Sequence, residues 1–160
     1  MTNEERLMTE FFNLVTRLNE VKNLMGFEQD LLTPGFIKEV MAGSKLNHYI
    51  HKTKHGPDAY SDENLTEAYE YLSCKEGGTF QLDRINGKNL HRIKRNDKFY
   101  FILFNKDDGI TIKEIYIMDT PIVLSEAKVK ISKMSKTSNH IGFGLSWVKN
   151  NGNLVYENKR

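Results

Sequence analysis

The run Phe99-Tyr100-Phe101-Ile102-Leu103-Phe104 constrains the fold of this chain more than any other segment. It is long enough and apolar enough to form a central strand of a sheet, covered on both faces. The acidic turn at residues 106–109 follows it, and residues 110–118 are predicted to return as the second strand of a hairpin. Residues 68–75, rich in aromatic side chains and closed by Gly77-Gly78, predict another strand. A sheet is therefore expected at the centre of the fold.

Helices are predicted around this sheet. Residues 5–25 repeat apolar side chains every three or four positions, and this wide stripe leaves core packing and a subunit interface both open. A second helix is expected to start at Thr33-Pro34 and to end at Gly43. The remaining predicted elements are short strands at 46–50 and 59–60, a helix at 122–134, and a closing hairpin of 141–148 and 153–156. This order predicts an α/β (α+β) fold with a central mixed β-sheet flanked by helices.

Composition restricts the class of protein. The chain has 160 residues with 23 Lys+Arg against 21 Asp+Glu, a net charge of +2, which excludes a histone-like polycation. The same sum allows a basic face balanced by an acidic site. Its single cysteine, Cys74, excludes an intramolecular disulfide, and no apolar run approaches the roughly 18 residues that span a bilayer. The sequence thus predicts one cytoplasmic domain over residues 1–160.

Two acidic residues stand on neighbouring predicted strands. Asp58 follows Pro57 just before residues 59–60, and Glu70 lies within residues 68–75. Two such carboxylates can converge on one divalent ion, and hard oxygen ligands suit Mg²⁺, which keeps several waters and binds phosphate oxygens. An ion held there would polarise a scissile phosphate and lower the pKa of an attacking water. A nearby lysine would offset the negative charge of the transition state.

This arrangement resembles the PD-(D/E)xK nuclease superfamily and, within it, the PvuII-like type II restriction endonucleases. The resemblance rests on the size of the chain, its helical N-terminal segment, the acidic turn after Gly56-Pro57-Asp58-Ala59, and Tyr69-Glu70-x-x-Ser73 on the next strand. It continues in residues 99–104 followed by residues 112–116, and in Asn139-His140-Ile141 before the final hairpin. It implies a restriction-endonuclease-like core, Mg²⁺ as cofactor and DNA as substrate.

The resemblance also implies roles for single residues. Asp58 and Glu70 are the expected metal ligands, with the backbone carbonyl of Tyr71 as a third. The family's catalytic lysine would stand at position 72, where this chain has Leu72. Lys75 is the favoured replacement as catalytic residue. Because Lys75 points away from Glu70 on a regular strand, it would reach the site only if the strand bulges.

Two other sources of a lysine stay open. Ser73-Cys74-Lys75 could be the motif itself, as in the superfamily's Ser-x-Lys variants, with Glu76 or another acid completing the metal site. Lys52 or Lys54, before Asp58, could also supply the amine. Without any such lysine the protein would bind DNA and not cut it.

Polar and basic residues downstream of the carboxylates predict contacts with DNA. Gln81 could pair with adenine and Arg84 with guanine in the major groove, although a strand with ordinary surface residues would show the same pattern. Residues 84–106 hold seven Lys/Arg against one acid, Asp97, which favours phosphate contact over a solvated charged face. The predicted DNA-binding residues are Thr79, Gln81, Asp83, Arg84, Lys88, Arg92, Asn139 and His140.

The sequence therefore predicts a Mg²⁺-dependent restriction endonuclease that cleaves double-stranded DNA at a short, palindromic site as a homodimer. Residues 1–45 are expected to contribute to dimerisation, and residues 46–160 to form the catalytic and DNA-binding core. A cognate DNA methyltransferase is the expected partner. Two alternatives are a structure-selective nuclease of the same superfamily, acting on junctions or in repair, and a catalytically inactive DNA-binding module.

Overall fold

The computed structural model describes residues 2–53, 55–135 and 138–159. Within them, helices flank a mixed sheet, which confirms the predicted class of α+β fold with a central mixed sheet. The helices are α1 (Asn3–Leu24), α2 (Phe36–Leu46), α3 (Thr120–Lys133), α4 (Leu145–Asn151) and a 3₁₀-helix at Leu90–Arg95. The strands are β1 (Tyr49–Ile50), β2 (Ala59–Tyr60), β3 (Ala68–Lys75), β4 (Phe80–Asp83), β5 (Lys98–Phe104), β6 (Ile112–Asp119), β7 (His140–Phe143) and β8 (Asn153–Glu157).

Six strands form the main sheet in the order β1-β2-β3-β5-β6-β8. The β3–β5 pair is parallel and the other pairs are antiparallel, so β5 lies near the centre as its apolar run predicts. Alternate side chains of β5 enter two different cores. Phe99, Phe101 and Leu103 pack with α3, α4 and β4, whereas the other face packs against α2. The predicted hairpin is the antiparallel β5–β6 pair.

Strands β4 and β7 form a separate two-stranded antiparallel sheet. Phe80 and Leu82 of β4 are buried beneath it, and Gln81 and Asp83 are exposed. This alternation is that of a sheet with one face on the core and the other in solvent. The outward face lies in the segment that the sequence assigned to DNA contact.

The prediction of a closing hairpin is wrong. Residues 145–151 form helix α4, β7 pairs with β4, and β8 pairs with β6. Gly152, expected in the hairpin turn, is instead the C-cap of α4, and its N–H donates to the carbonyl of Val148 at 2.8 Å. A short helix fits because Trp147 and Val148 pack against the core from a single turn.

Helix α2 differs from the prediction at both ends. It starts at Phe36, after Gly35 in a left-handed conformation (φ 86°), and continues past Gly43 to Leu46. Gly43 is an interior residue of the helix, and glycine is needed there for close packing. A Cβ at this position would lie 1.8 Å from Cδ1 of Ile50. The left-handed C-cap is Asn47 (φ 56°).

Helix α1 is confirmed, with Thr2 and Glu5 forming a capping box at its start. No residue of α1 is buried, although Val15 is half-buried against the core on the α2 side of the sheet. The apolar stripe is therefore exposed in a single copy of the chain. No helix of the described residues is long and apolar enough to cross a membrane.

Candidate functional site

The β2–β3 pair brings Asp58 beside the backbone of β3. The N–H of Asp58 donates to the carbonyl of Tyr69 at 3.0 Å, and Oδ2 of Asp58 accepts the N–H of Tyr71 at 2.8 Å. Glu70 lies between Tyr69 and Tyr71 on this strand, and its pKa is raised by burial and by the charge of Asp58. The structure thus brings together Asp58, Glu70 and the backbone of Tyr71, the three metal ligands that the resemblance implies.

A third carboxylate joins them from helix α2. Glu39 raises the pKa of Glu70, and Asp58 raises the pKa of Glu39, so the three acids share one electrostatic environment. Glu39 is not among the site residues predicted from the sequence. Its spacing carried a signal, since Glu39 is three residues after Phe36 and four before Gly43, both buried on one face of α2.

The pKa values of all three carboxyl groups are raised. Burial, then the charge of Asp58, raises the pKa of Glu39 to about 8. Burial raises the pKa of Asp58 to about 6, although the hydrogen bond from Tyr71 opposes the shift. Burial and Asp58 hold the pKa of Glu70 well above its ordinary value. Three acids that resist ionisation side by side favour a cation, because a cation would relieve both desolvation and mutual repulsion.

Asn96, which lies between the 3₁₀-helix and β5, forms a hydrogen bond with Glu70. Nδ2 of Asn96 donates to Oε2 of Glu70 at 3.1 Å, and the carbonyl of Asn96 accepts the hydroxyl of Thr120 at 2.6 Å. Only 9% of Asn96 is exposed, and among the described residues its Oδ1 has no hydrogen-bond partner. A buried amide oxygen without a donor is costly, so a water or cation is expected to satisfy it.

Two cavities border these acids. One, of about 160 Å³, is lined by Glu70, Arg92 and Asn96. The other, of about 180 Å³, is lined by Glu39 and Asp58. Residues 56–57 line both, so this turn separates the two openings onto the acidic cluster.

The structure does not bring Lys75 to the carboxylates. Strand β3 pairs with β5 in continuous register from Tyr69 to Lys75, without the bulge that would turn Lys75 toward Glu70. Lys75 lies instead beside the β5–β6 turn, where a Cβ on Gly109 would lie 2.9 Å from its Nζ. Its assignment as catalytic residue stays a prediction that this geometry does not support.

Lys52, an alternative source of the amine, contacts an aromatic ring. Nζ of Lys52 lies 4.0 Å from the ring centroid of Phe27. Lys54 lies outside the described residues. Glu76, the acid proposed to complete a Ser-x-Lys site, forms an ion pair with Lys113. Leu72 is 4% exposed and belongs to the core.

Arg92, assigned by sequence to DNA contact, lines the same cavity as Glu70, and so does Arg95. It lies on the 3₁₀-helix, and its charge opposes the rise in the pKa of Glu70 that burial and Asp58 cause. The same 3₁₀-helix leads directly to Asn96. One short segment therefore supplies a guanidinium and a buried amide to the acidic cluster, which the charge run alone did not reveal.

Three of the predicted DNA-binding residues lie on the β4–β7 sheet, and two more, Thr79 and Asn139, directly precede its strands. Asp83 pairs with His140 and Gln81 with Gly142 in the antiparallel register, so these side chains share the outward face. Oδ1 of Asn139 accepts the amide of Asn86 at 2.9 Å. Thr79 is exposed close to Gly142, where a Cβ would lie 2.9 Å from Cγ2 of Thr79.

Arg84 and Lys88 occupy the loop that follows β4. Both are exposed, and Arg84 has a left-handed backbone (φ 57°) whose carbonyl accepts the amide of Asn89 at 2.7 Å. Asp83 lines the cavity that contains Glu70 and Arg92. The outward face of the β4–β7 sheet is therefore continuous with the acidic cluster.

Among the described residues, no group of three or more His, Cys, Asp or Glu side chains is arranged to hold a metal ion by itself. The hard oxygen donors here are the carboxylates of Asp58 and Glu70, which interact electrostatically, and Glu70 also accepts the Asn96 amide. Mg²⁺ needs only one or two carboxylates together with water and substrate phosphate, so this donor set fits it. No family model matches the chain, and no curated protein matches it significantly in sequence.

Proposed function

We propose that this protein is a Mg²⁺-dependent endonuclease of the PD-(D/E)xK type that cleaves double-stranded DNA at a specific sequence. The proposal is carried by the electrostatic interaction of Asp58 with Glu70, whose carboxylate accepts the amide of Asn96, a residue with a buried and unpartnered Oδ1. The exposed polar face of β4 and β7 adjoins this cluster, which is the arrangement that base readout next to a cleavage site requires.

In this proposal Asp58, Glu70 and the Oδ1 of Asn96 hold Mg²⁺, with the Tyr71 carbonyl as a further ligand. The bound ion would polarise the scissile phosphate and lower the pKa of the attacking water. The hydrogen bond from Tyr71 fixes the Asp58 carboxylate, and the Asn96 amide fixes Glu70. Both carboxylates are thus oriented before substrate binds, which lowers the reorganisation needed for reaction.

Arg92 supplies the positive charge that Leu72 does not. A guanidinium in the cavity beside Glu70 would contact a phosphate oxygen and stabilise the charge of the transition state. Because arginine stays protonated, Arg92 would not act as a proton donor or acceptor at neutral pH. Gln81, Asp83, Asn139 and His140 would read base edges, and Thr79, Arg84 and Lys88 would contact the backbone.

A homodimer fits a palindromic site because a two-fold pair of active sites matches the symmetry of duplex DNA. In this arrangement a cognate methyltransferase would protect the host's own sites. The second candidate function is DNA binding without cleavage. Two observations favour it: a core leucine stands at the position of the family's lysine, and Lys75 lies at the β5–β6 turn.

The test is incubation with phage DNA and Mg²⁺, followed by electrophoresis. Discrete fragments are expected, and they should disappear in Asp58→Asn and Glu70→Gln while gel-shift binding in Ca²⁺ persists. Salt-sensitive binding without cleavage by the unmodified protein would establish the DNA-binding module instead. Cutting confined to branched substrates would identify a structure-selective nuclease.

A second comparison identifies the cation. Arg92→Ala should reduce cleavage at saturating DNA by about 100-fold, since one transition-state contact is worth about 3 kcal/mol. Lys94→Ala is the matched control, because Lys94 is exposed on the same 3₁₀-helix and does not line the cavity. If Lys75→Ala abolishes cleavage and Arg92→Ala does not, the assignment to Arg92 is wrong.

A further inference from the structure

The apolar stripe of α1 follows the heptad spacing of a coiled coil. Leu7, Phe11, Leu14, Leu18, Val21 and Met25 alternate at intervals of four and three residues. Intervals of this kind place one side chain per turn on a seam that faces a partner helix. All six are exposed, Phe11 to 70% and Leu14 to 63%, so the seam has no partner among the described residues.

The rest of the chain contacts α1 along a different line. Val15 packs against the core, and Nζ of Lys22 donates to the carbonyl of Gln29 at 2.9 Å. Residues 3–14 are all exposed, so the N-terminal half of α1 extends free of the body of its own chain. A helix held in this way can receive a second helix along its whole seam.

We propose that α1 pairs with α1 of a second copy in an antiparallel coiled coil. In this register Leu7 would pack against Leu18 of the second copy, and Phe11 against Leu14 of the second copy. The two-fold axis would then cross the middle of α1, so the two 22-residue helices would overlap over nearly their full length. The length of such a helix is about 33 Å.

Charges beside the seam favour this orientation. Glu10 and Arg17 occupy the flank that heptad notation calls g, and both are exposed. In an antiparallel pair this flank meets its own equivalent, so Glu10 would face Arg17 of the second copy, twice by symmetry. In a parallel pair Arg17 would face Lys22 of the second copy, which is repulsive. Charged flanking positions set the orientation of coiled coils in this manner.

The position of the attachment points agrees with the antiparallel arrangement. Val15 and Lys22 both lie in the C-terminal half of α1 and on one flank of the seam. In an antiparallel pair that flank also meets its equivalent. The body of each chain, meaning the part that packs against Val15 and Lys22 of its own α1, would therefore lie on the same side of the helix pair. Each body would sit beside the free N-terminal half of the other copy's α1, where no body of its own is present.

This inference specifies the homodimer within the proposed function and rests on that part of it, but on no step of the cleavage chemistry. Sedimentation equilibrium of the full chain without DNA or Mg²⁺ tests it directly. A dimer is expected in the micromolar range, and Leu14→Asp should give a monomer with an unchanged circular dichroism spectrum. A monomer at all concentrations would overturn the proposal, even if that monomer cuts DNA or binds lipid vesicles.

A charge exchange tests the orientation. Glu10→Arg and Arg17→Glu should each weaken the dimer about tenfold, because both symmetric ion pairs become repulsions. The double variant, which restores opposite charges, should recover the original dissociation constant. Thr16→Arg, exposed on the far side of α1, is the control and should leave it unchanged. A parallel pair would instead be strengthened by Arg17→Glu, and that result would overturn the antiparallel assignment.

Discussion

Replacing Glu39 with glutamine should stabilise the protein at pH 8. The folded pKa of Glu39 is about 8 because of burial and the charge of Asp58, whereas the ordinary value is 4.5. Between these two pH values the folded chain keeps a proton that the unfolded chain releases. The unfolded state therefore binds fewer protons, and the free energy of unfolding falls as pH rises from about 4.5 to 8.

The magnitude follows from the two pKa values. At 1.36 kcal/mol for each pKa unit, the raised pKa of Glu39 lowers the free energy of unfolding by about 4 kcal/mol at pH 8, where Glu39 is half ionised in the folded protein. Glu39 is only half-buried, and the field that it experiences also acts on Asp58 and Glu70. We therefore expect Glu39→Gln to recover about 2 kcal/mol at pH 8 and much less at pH 5.

Urea unfolding followed by circular dichroism at pH 5 and pH 8, with EDTA present, measures this effect. Glu63→Gln is the control, since Glu63 is exposed in the loop between β2 and β3. If the proposed site holds Mg²⁺, adding the ion should raise the stability of the unmodified protein at pH 8, because a ligand that binds only the folded state stabilises it. Equal or lower stability of Glu39→Gln than of the unmodified protein at pH 8 would refute the reasoning.

Three shorter predictions concern other parts of the molecule. Gly43→Ala should destabilise the fold by about 1–2 kcal/mol in thermal or urea unfolding, since overpacking against buried Ile50 outweighs the helix propensity of alanine, and Ser44→Ala should not. The Cys74 thiol, whose pKa burial raises to about 11, should react with a disulfide reagent only after unfolding; rapid reaction in the folded protein would contradict its placement. Gln81→Ala should weaken binding to cognate DNA by about tenfold with little change for random DNA, as fluorescence anisotropy would show.

The parts of the fold that the sequence predicts best are those with local causes. Every residue from 99 to 104 has an apolar or aromatic side chain, and a strand that is covered on both faces buries all of them. Helix α1 has a capping box at its start and a regular apolar period. The failure at residues 145–151 has the opposite cause: a segment of seven residues holds too few turns for a helical period to be distinguished from a strand.

The residues of the candidate site also differ in how well the sequence predicts them. Asp58 and Glu70 can be predicted because Asp58 directly precedes β2 and Glu70 lies on β3, so a short sequence pattern reports their approach. Glu39 and Asn96 come from α2 and from the segment before β5, and no spacing along the chain relates them to Asp58. The β4–β7 register, which unites Asp83 with His140, likewise joins residues more than fifty positions apart. Such contacts follow from tertiary packing, which local patterns do not encode.

Leu72 shows why the positive charge at the candidate site has to come from elsewhere in the chain. It follows Glu70 by two residues on a strand without bulges, so it lies on the same face, where the core of Phe99 and Phe101 begins. At this position leucine completes that core, and an ammonium would be desolvated within it. Lys75 does not compensate, since it follows Glu70 by five positions, and an odd offset along a strand places a side chain on the opposite face. A cation for the site must therefore approach from a segment above the sheet, as Arg92 does from the 3₁₀-helix.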